Sequence, residues 1–499
     1  MNLKSFRLCT FNAALTFFLL FAPGLQAQQS PPETTAPRPT ESKPIDHGNP
    51  EFMKAADEVL QQMSALLGLP IKEPLKKTLR SKSEIREYLI REEEEDKNPG
   101  QKYADQKALE AFGLIPKDFP LDKFMLDVLT DQVAGLYDPK QKEFYIADWI
   151  PVDEQRTVMA HELTHALVDQ SFHLDEWIKA ARPNDDAELA RDSVSEGSAV
   201  AAMLDYSFID SKITIRDLPD ISNYIRSSAV AEMEKDPLLS KAPIIVRDEL
   251  LFPYLDGTNF TQQFLKANSG WKDLHKIFEN PPVSTSQIIH PDLYLKGIKP
   301  VVVNLPKWAG LAPADWKLLE ENVLGEFGLR EVLKQFVGDE QAEKTAPYWD
   351  GDHYVVFEDA KTKQLTLIVR LHLDTIDDAA LFFGRYSELL MDKYKKTTQL
   401  LRRPNFFQFR TEASKVFLRC EASDCVIVEG ADRDFFDKLN RAISWPPAPT
   451  EAEPTPKPTL TMLPSTDKPD FGVTTAGVGA IYNIYRSPSS AGVPAGIRR

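Results

Sequence analysis

The sequence predicts an α+β fold in two parts, a mainly helical part over residues 51–300 and a smaller α+β part over residues 301–445. Three observations support this. Apolar residues recur every three or four positions through much of the first part, which is the spacing of amphipathic helices. Residues 143–147 form a short β-branched and aromatic run, which predicts one strand among those helices. After residue 300, strand-like runs alternate with helical stretches, the first of which is expected over residues 318–336, and this order is typical of a sheet covered by helices.

The first residues have the pattern of a targeting segment. Lys4 and Arg7 precede an apolar run over residues 13–20, and the small residue Ala27 ends a stretch typical of a cleavage site. We therefore expect a signal peptide over residues 1–27, with an uncleaved anchor as the alternative. The protein is then expected to be exported, either periplasmic or extracellular, with no membrane span after signal removal.

Composition predicts disorder near both ends of the chain. The net charge argues against two classes of binding partner. Residues 28–50 are rich in proline and polar residues and predict a disordered linker, and residues 446–499 predict a Pro-rich disordered tail. The formal net charge of −16 argues against nucleic acid and anionic membranes as partners.

The helical part has one predicted strand next to its main motif. The spacing of apolar residues predicts helices from residue 51 onward and over residues 121–137, and a charged stretch at 91–97 is expected to end a second helix. Residues Phe144 to Ala147 predict a strand just before the motif. It could be an edge strand that pairs with an extended peptide, and the alternative is an ordinary strand within a sheet.

The motif is His161-Glu162-Leu163-Thr164-His165. Residues four apart lie on one face of a helix, so His161 and His165 can bind one metal ion between them. The apolar residues among 159–167 fall on the opposite face, which is expected to pack into a core. Glu162 lies about 100° round the helix axis, beside that ion, where a carboxylate can act as a general base on water. Three protein ligands and one open position are typical of catalytic Zn²⁺, so a third ligand is needed.

Glu196 is the candidate third ligand, on a helix predicted to begin with a capping box of Asp185 and Glu188. Its neighbours are small, which would let this helix approach the motif helix closely. Gly197 in a helix interior costs about 1 kcal/mol relative to alanine and therefore needs a packing reason. Glu188 and Asp192 are alternative ligands on nearby turns.

The motif and its surroundings resemble the gluzincin zinc metallopeptidases, in which a His-Glu-x-x-His helix is followed by a separate glutamate ligand. Three further segments are similar to a group of uncharacterised exported bacterial proteins, over roughly residues 51–300: Gly135-Leu136-Tyr137-Asp138-Pro139, Glu196-Gly197-Ser198-Ala199 and Ser284-Thr285-Ser286-Gln287-Ile288-Ile289-His290-Pro291. The resemblance implies a zincin-like metallopeptidase domain with a bound Zn²⁺. Metzincins are excluded, because residues 166–171 lack their third histidine.

Two further features lie outside the motif. His290, with Tyr294 nearby, is a candidate donor to the oxyanion that forms during amide hydrolysis, and its alternative is a loop histidine with local hydrogen bonds. Cys420 and Cys425 flank a four-residue turn between two predicted strands, which predicts a disulfide in an exported protein.

Together these residues predict a zinc-dependent peptidase acting on a peptide or protein substrate, with His161, His165 and Glu196 as ligands and Glu162 as general base. Two alternatives remain open. One is a catalytically idle, zinc-stabilised binding or scaffold protein of the cell envelope, and the other is an enzyme that hydrolyses a non-peptide amide. The sequence does not indicate the oligomeric state.

Overall fold

The computed structural model describes residues 50–95, 98–133, 135–211, 213–219 and 222–445. The predicted signal peptide, the predicted tail and all of the predicted linker except Pro50 lie outside the described residues. Pro50 is the first residue of a helix. Within the described ranges, no helix combines the length and the apolar character that crossing a membrane requires. The predicted α+β class is confirmed, because a helical N-terminal part is followed by a β-sheet part.

The helical part contains twelve described helices and three strands. In chain order these are α1 Pro50–Leu67, β1 Lys76–Arg80, α2 Lys82–Glu95, α3 Pro99–Phe112, α4 Leu121–Gln132, β2 Gly135–Asp138, β3 Glu143–Ala147, α5 Val152–Phe172, α6 Leu174–Lys179, α7 Asp185–Ser207, α8 Ser222–Lys235, α9 Ile244–Ala267, α10 His275–Glu279, α11 Thr285–Ile289 and α12 Pro291–Leu295. Short 3₁₀ turns at Ile215–Asp217, Leu239–Lys241 and Gly270–Asp273 connect some of them.

The three strands of this part form one sheet in the order β1-β3-β2. Strand β3 lies in the centre, parallel to β1 and antiparallel to β2. The prediction that Phe144 to Ala147 form an edge strand is therefore wrong, since both edges of this strand are already paired. The edge strand next to the motif helix is β2, whose Tyr137 N donates a hydrogen bond to Glu162 on α5.

Strand β2 was missed because it follows the end of a helix after only two residues and is buried on both faces. The prediction of one helix over residues 121–137 is wrong beyond Gln132, where α4 ends. All four residues of β2 are buried, so their side chains do not alternate between apolar and polar as in a half-buried strand. A short run that is buried on both faces cannot be distinguished from a buried helical turn by its pattern.

The motif helix α5 begins after Pro151 and presents one face to a core, as predicted. Its residues Met159, Leu163 and Leu167 are fully buried and belong to a cluster with residues of α1, among them Phe52 and Val59. This packing fixes the helix on the side opposite its two histidines.

The C-terminal part is a seven-stranded antiparallel sheet in the order β4-β5-β6-β10-β9-β8-β7, with helices on both faces. Its elements are β4 Trp316–Asn322, α13 Gly325–Val337, α14 Asp339–Thr345, β5 Trp349–Asp359, β6 Leu365–Leu373, α15 Ile376–Lys393, β7 Thr398–Arg403, β8 Phe406–Arg410, β9 Lys415–Glu421, β10 Asp424–Ala431 and α16 Arg433–Ala442, with a 3₁₀ turn at Ala346–Tyr348. The sequence predicted one helix over residues 318–336. The first part of that range is strand β4, whose Leu318 lies opposite Phe357 of β5.

The two parts share a continuous hydrophobic core. The ring of Phe112 at the end of α3 packs edge-on against Tyr354 of β5, with 5.2 Å between centroids. Lys393 Nζ donates to the carbonyl oxygen of Ala111 at 2.6 Å. The sheet therefore packs directly against helices of the first part.

The disulfide between Cys420 and Cys425 is present, at opposed positions of the β9–β10 hairpin. The bond closes a loop of only a few residues, so the entropy it removes from the unfolded chain is small. We expect the Cys420→Ser/Cys425→Ser double variant to lose about 2 kcal/mol or less in free energy of unfolding, measured by urea denaturation. Mass spectrometry of unreduced protein that finds both thiols free under oxidising conditions would contradict the pairing.

Candidate metal centre

Three buried side chains from two helices meet at one point. His161 and His165 of α5 lie one turn apart, and their Nε2 atoms are 3.1 Å apart. Glu196 of α7 brings its Oε2 to 3.3 Å from His161 Nε2 and 3.5 Å from His165 Nε2. The structure therefore brings together the three residues that the sequence predicted as ligands. In the described part of the chain, these three side chains form a group whose ligand atoms all lie within 4.8 Å of one another, close enough to hold one metal ion.

The triangle of ligand atoms has the dimensions that Zn²⁺ requires. Zinc–nitrogen and zinc–oxygen bonds are about 2.0–2.1 Å long, and in a tetrahedron this separates two ligand atoms by about 3.3 Å. The three edges of 3.1, 3.3 and 3.5 Å lie around this value. Glu196 Oε2 and His161 Nδ1 are buried and accept or donate no hydrogen bond within the described part of the chain. A buried carboxylate oxygen without a donor is costly unless a cation neutralises it, so the donor set fits Zn²⁺.

Burial favours the neutral form of His161, which is the form that binds a metal. His161 and His165 are 0 % and 1 % exposed, and burial lowers the pKa of His161. Burial acts to raise the pKa of Glu196, but the electrostatic attraction of His165 and His161 outweighs it and lowers this pKa. Ser195 Oγ lies 3.2 Å from His165 Nδ1. A hydrogen bond to the second ring nitrogen orients a ligating histidine and fixes its tautomer.

Glu196 lies on the long helix α7. The first turn of this helix is capped by a side chain, and its centre packs against α9. The helix begins at Asn184, whose side chain accepts a hydrogen bond from Ala187 N at 2.9 Å. The predicted capping box of Asp185 and Glu188 is therefore wrong. Glu188 instead accepts hydrogen bonds from Arg182 at 2.9–3.1 Å, so this alternative ligand has another partner.

Gly197 is needed because α7 packs closely against another helix at this position. That helix is α9 and not the motif helix. A Cβ on Gly197 would lie 2.0 Å from the carbonyl carbon of Gly257 on α9. A Cβ on Gly257 would lie 2.1 Å from Ser193 O of α7. The backbones of α7 and α9 thus touch one residue away from Glu196, and this contact sets the depth at which the carboxylate enters the site.

Glu162 follows His161 on α5, and strand β2 orients its carboxylate. Its Oε2 accepts a hydrogen bond from Tyr137 N at 3.0 Å, and the residue is fully buried. The strand approaches closely because it carries Gly135, where a Cβ would lie 2.9 Å from Val158 Cγ1 and 3.2 Å from Glu162 Cγ. A positioned carboxylate next to a metal site can accept and return a proton.

Tyr254 of α9 is a neighbour of the site that sequence reasoning missed. Its ring stacks on the ring of His161, with 6.3 Å between centroids and 22° between planes, and it is 8 % exposed. Helix α9 contains Pro253, yet it continues through this position. The chain contains 14 tyrosines, and no motif distinguishes this one. The helical spacing of residues 244–267 could have predicted the helix but not its neighbour.

His290 was predicted to donate to an oxyanion near the metal site, but in the structure its ring pairs with Glu326. Its Nε2 lies 2.9 Å from Glu326 Oε1 of α13, and the side chain is 16 % exposed. Tyr294 OH donates to the carbonyl oxygen of Asn280. Among the described residues, the contacts of His290 connect α11 and α12 with α13 rather than with the three ligands. Its role as an oxyanion donor stays a prediction.

The His290–Glu326 pair predicts how stability depends on pH. Burial acts to lower the pKa of His290, but the hydrogen bond that its ring donates to Glu326 and the charges of Glu326 and Asp292 together outweigh it and raise this pKa, while burial raises the pKa of Glu326. A pKa raised in the folded state adds stability below the unfolded pKa and loses it as pH rises through the folded value. We expect the free energy of unfolding of the wild type to fall, relative to His290→Gln, between pH 6 and pH 9. Urea denaturation across this range measures the difference, and a constant difference would contradict the pairing.

The chain was compared with protein families, curated proteins and solved structures. Residues 317–440 match a domain of unknown function, DUF8575. These residues correspond to strands β4 to β10 with their helices, so the match covers most of the C-terminal part and does not include the metal centre. No curated protein and no solved structure matches the chain.

Proposed function

We propose that the protein is an exported zinc-dependent metallopeptidase that hydrolyses peptide bonds. The observation that carries the proposal is the buried Glu162, which follows the candidate ligand His161 on α5 and whose carboxylate accepts a hydrogen bond from the Tyr137 amide. A purely structural zinc site has no use for such a carboxylate and is usually closed by a fourth protein ligand. The export part of the proposal depends on the sequence of residues 1–27 and on the disulfide.

In this proposal each residue has a defined task. A bound Zn²⁺ supplies Lewis acidity, which polarises a carbonyl group and lowers the pKa of water to about 7. His161, His165 and Glu196 hold the ion. Glu162 accepts a proton from the attacking water and delivers it to the leaving amine.

The alternative is a zinc-stabilised binding or scaffold protein without catalysis. The burial of the site favours it, because His161, His165 and Glu196 are 0 %, 1 % and 3 % exposed and a peptide needs access to the metal. Incubating the purified chain with a broad peptide library, with and without a chelator, separates the two functions. Chelator-sensitive cleavage supports the peptidase, whereas tight zinc binding without cleavage supports the scaffold.

The metal itself is tested by composition. We expect about one Zn²⁺ per chain, and a loss of most of it in His161→Ala, because that variant keeps only two of the three ligands. Elemental analysis after gel filtration measures the ratio. His275→Ala is a matched control, since this histidine is exposed and its Nδ1 lies 3.0 Å from the carbonyl oxygen of Lys272. Full zinc occupancy in His161→Ala would end the assignment.

A further inference from the structure

Strand β2 carries the Gly-Leu-Tyr-Asp-Pro segment at residues 135–139 that the sequence resemblance singled out, and the ligand set does not include it. In the structure, Gly135, Tyr137 and Asp138 of this segment each make a specific contact. Gly135 allows β2 to lie against Glu162 and Val158. Asp138 Oδ1 accepts hydrogen bonds from the amides of Lys140 and Gln141, which closes the turn to β3.

Tyr137 contacts the motif helix twice. Its backbone N donates to Glu162 Oε2 at 3.0 Å, and its phenolic OH donates to Asp169 Oδ2 at 2.9 Å. Glu162 and Asp169 are seven residues apart and therefore lie on the same side of α5, two turns apart. The residue thus spans two turns of the helix, with its backbone beside the general base and its ring directed toward the end of the helix. It is fully buried.

Asp169 is a fixed anchor for that ring. Its Oδ1 accepts a hydrogen bond from Leu174 N, the first residue of α6, and its Oδ2 also contacts Lys142 Nζ. It follows His161 and His165 in the same row of the helix, at the next spacing of four residues. Burial, followed by the charge of Asp169, raises the pKa of Tyr137, so the phenol stays a neutral donor.

We infer that Tyr137 is a positioning residue for Glu162. The hydrogen bond from its phenol to Asp169 fixes the position of the Tyr137 backbone amide, and this amide in turn orients the Glu162 carboxylate. The kinetic part of this inference rests on the proposed peptidase function. Strand β2 has only four residues and pairs with β3 on one side alone, so its outer edge depends on contacts with α5. Without the phenol, residue 137 keeps only the hydrogen bond of its amide to α5, and that bond is expected to open more often.

Amide exchange tests the geometry without any activity. In an antiparallel edge strand, an amide that points away from the neighbouring strand is protected only by a partner outside the sheet. In Tyr137→Phe we expect exchange of the residue 137 amide to accelerate by about 10-fold or more, as measured by hydrogen–deuterium exchange on peptides covering β2. Glu162→Ala should accelerate the same amide. Unchanged exchange in Tyr137→Phe would overturn the inference.

Tyr145→Phe is the matched control for these measurements. Tyr145 is a buried tyrosine on β3, where it lies opposite Leu136 of β2, and its OH contacts Glu143 on its own strand. Its substitution removes a phenol from the same sheet and leaves both contacts of Tyr137 intact. We expect exchange of the residue 137 amide to stay at the wild-type rate. An equal acceleration in both variants would mean general loosening of the sheet and would overturn the inference.

Kinetics test the connection to catalysis. Residues that orient a catalytic group typically cost roughly 10- to 100-fold when they are removed. For Tyr137→Phe we expect that loss in kcat with unchanged KM and unchanged zinc content, and no further loss when it is combined with Glu162→Gln, since both changes act through one carboxylate. A full additional loss in the double variant, or equal changes in kcat and KM, would overturn the inference. If the wild type cleaves no peptide, the proposed function fails, and the exchange measurement alone decides the position of Tyr137.

Discussion

Glu162→Gln is expected to abolish peptide hydrolysis while zinc stays bound. Glutamine keeps the size of the side chain and nearly the same helix propensity, so α5 should fold as before. It removes the proton acceptor beside the ligands, and general-base contributions are typically roughly 10²- to 10⁴-fold in rate. We therefore expect kcat to fall by about that factor. Elemental analysis should still give about one zinc per chain, because Glu162 is not one of the three ligands.

Glu196→Gln provides the contrast that makes this result specific. An amide oxygen is a weaker and uncharged ligand, so this variant should lose zinc as well as activity. Glu162→Gln with wild-type kcat would show that the carboxylate is not the base. Zinc loss equal to that of Glu196→Gln would show that Glu162 supports the metal instead of the chemistry.

The ligand set could be predicted from the sequence because a helix fixes the geometry of neighbouring positions. The spacing of four residues places His161 and His165 on one face, and the same periodicity identified the buried face of α5. Glu196 was predicted from its small neighbours. The structure places this glutamate at the site, although those small residues serve the contact with α9 rather than with α5.

The remaining neighbours of the site depend on tertiary packing, which a local pattern does not encode. In the chain, Tyr137 of β2 lies 25 residues before Glu162 and Tyr254 lies about 90 residues after His161, and neither segment has a spacing typical of a site. For β2, burial of every residue removed the alternation that identifies a strand. For His290, the residue type and the following proline suited an oxyanion donor, but a buried carboxylate on α13 binds it. The partner of a histidine is set by whichever charge the fold brings near it.

The largest effect on stability is expected at Gly197, where α7 and α9 touch. In Gly197→Ala the new methyl group would lie 2.0 Å from the carbonyl carbon and 2.1 Å from the carbonyl oxygen of Gly257. Backbone atoms cannot move aside as the end of a flexible side chain can, so the two helices must separate. Overpacking of a core typically costs about 1–3 kcal/mol, and we expect about 3 kcal/mol or more here. Urea denaturation measures the loss.

Separation of the two helices should also reach the metal, because Glu196 precedes Gly197 and its Oε2 lies only 3.3 Å from His161 Nε2. We therefore expect Gly197→Ala to bind zinc more weakly than the wild type even where it is folded, as measured by competition with a chelator. Gly384→Ala is the matched control: this glycine lies within helix α15, and a Cβ there would meet nothing within 4 Å. Since alanine is the better helix former, the control should gain about 0.5–1 kcal/mol. If both variants gain stability equally, the two helix backbones are not in contact and the depth of Glu196 is set elsewhere.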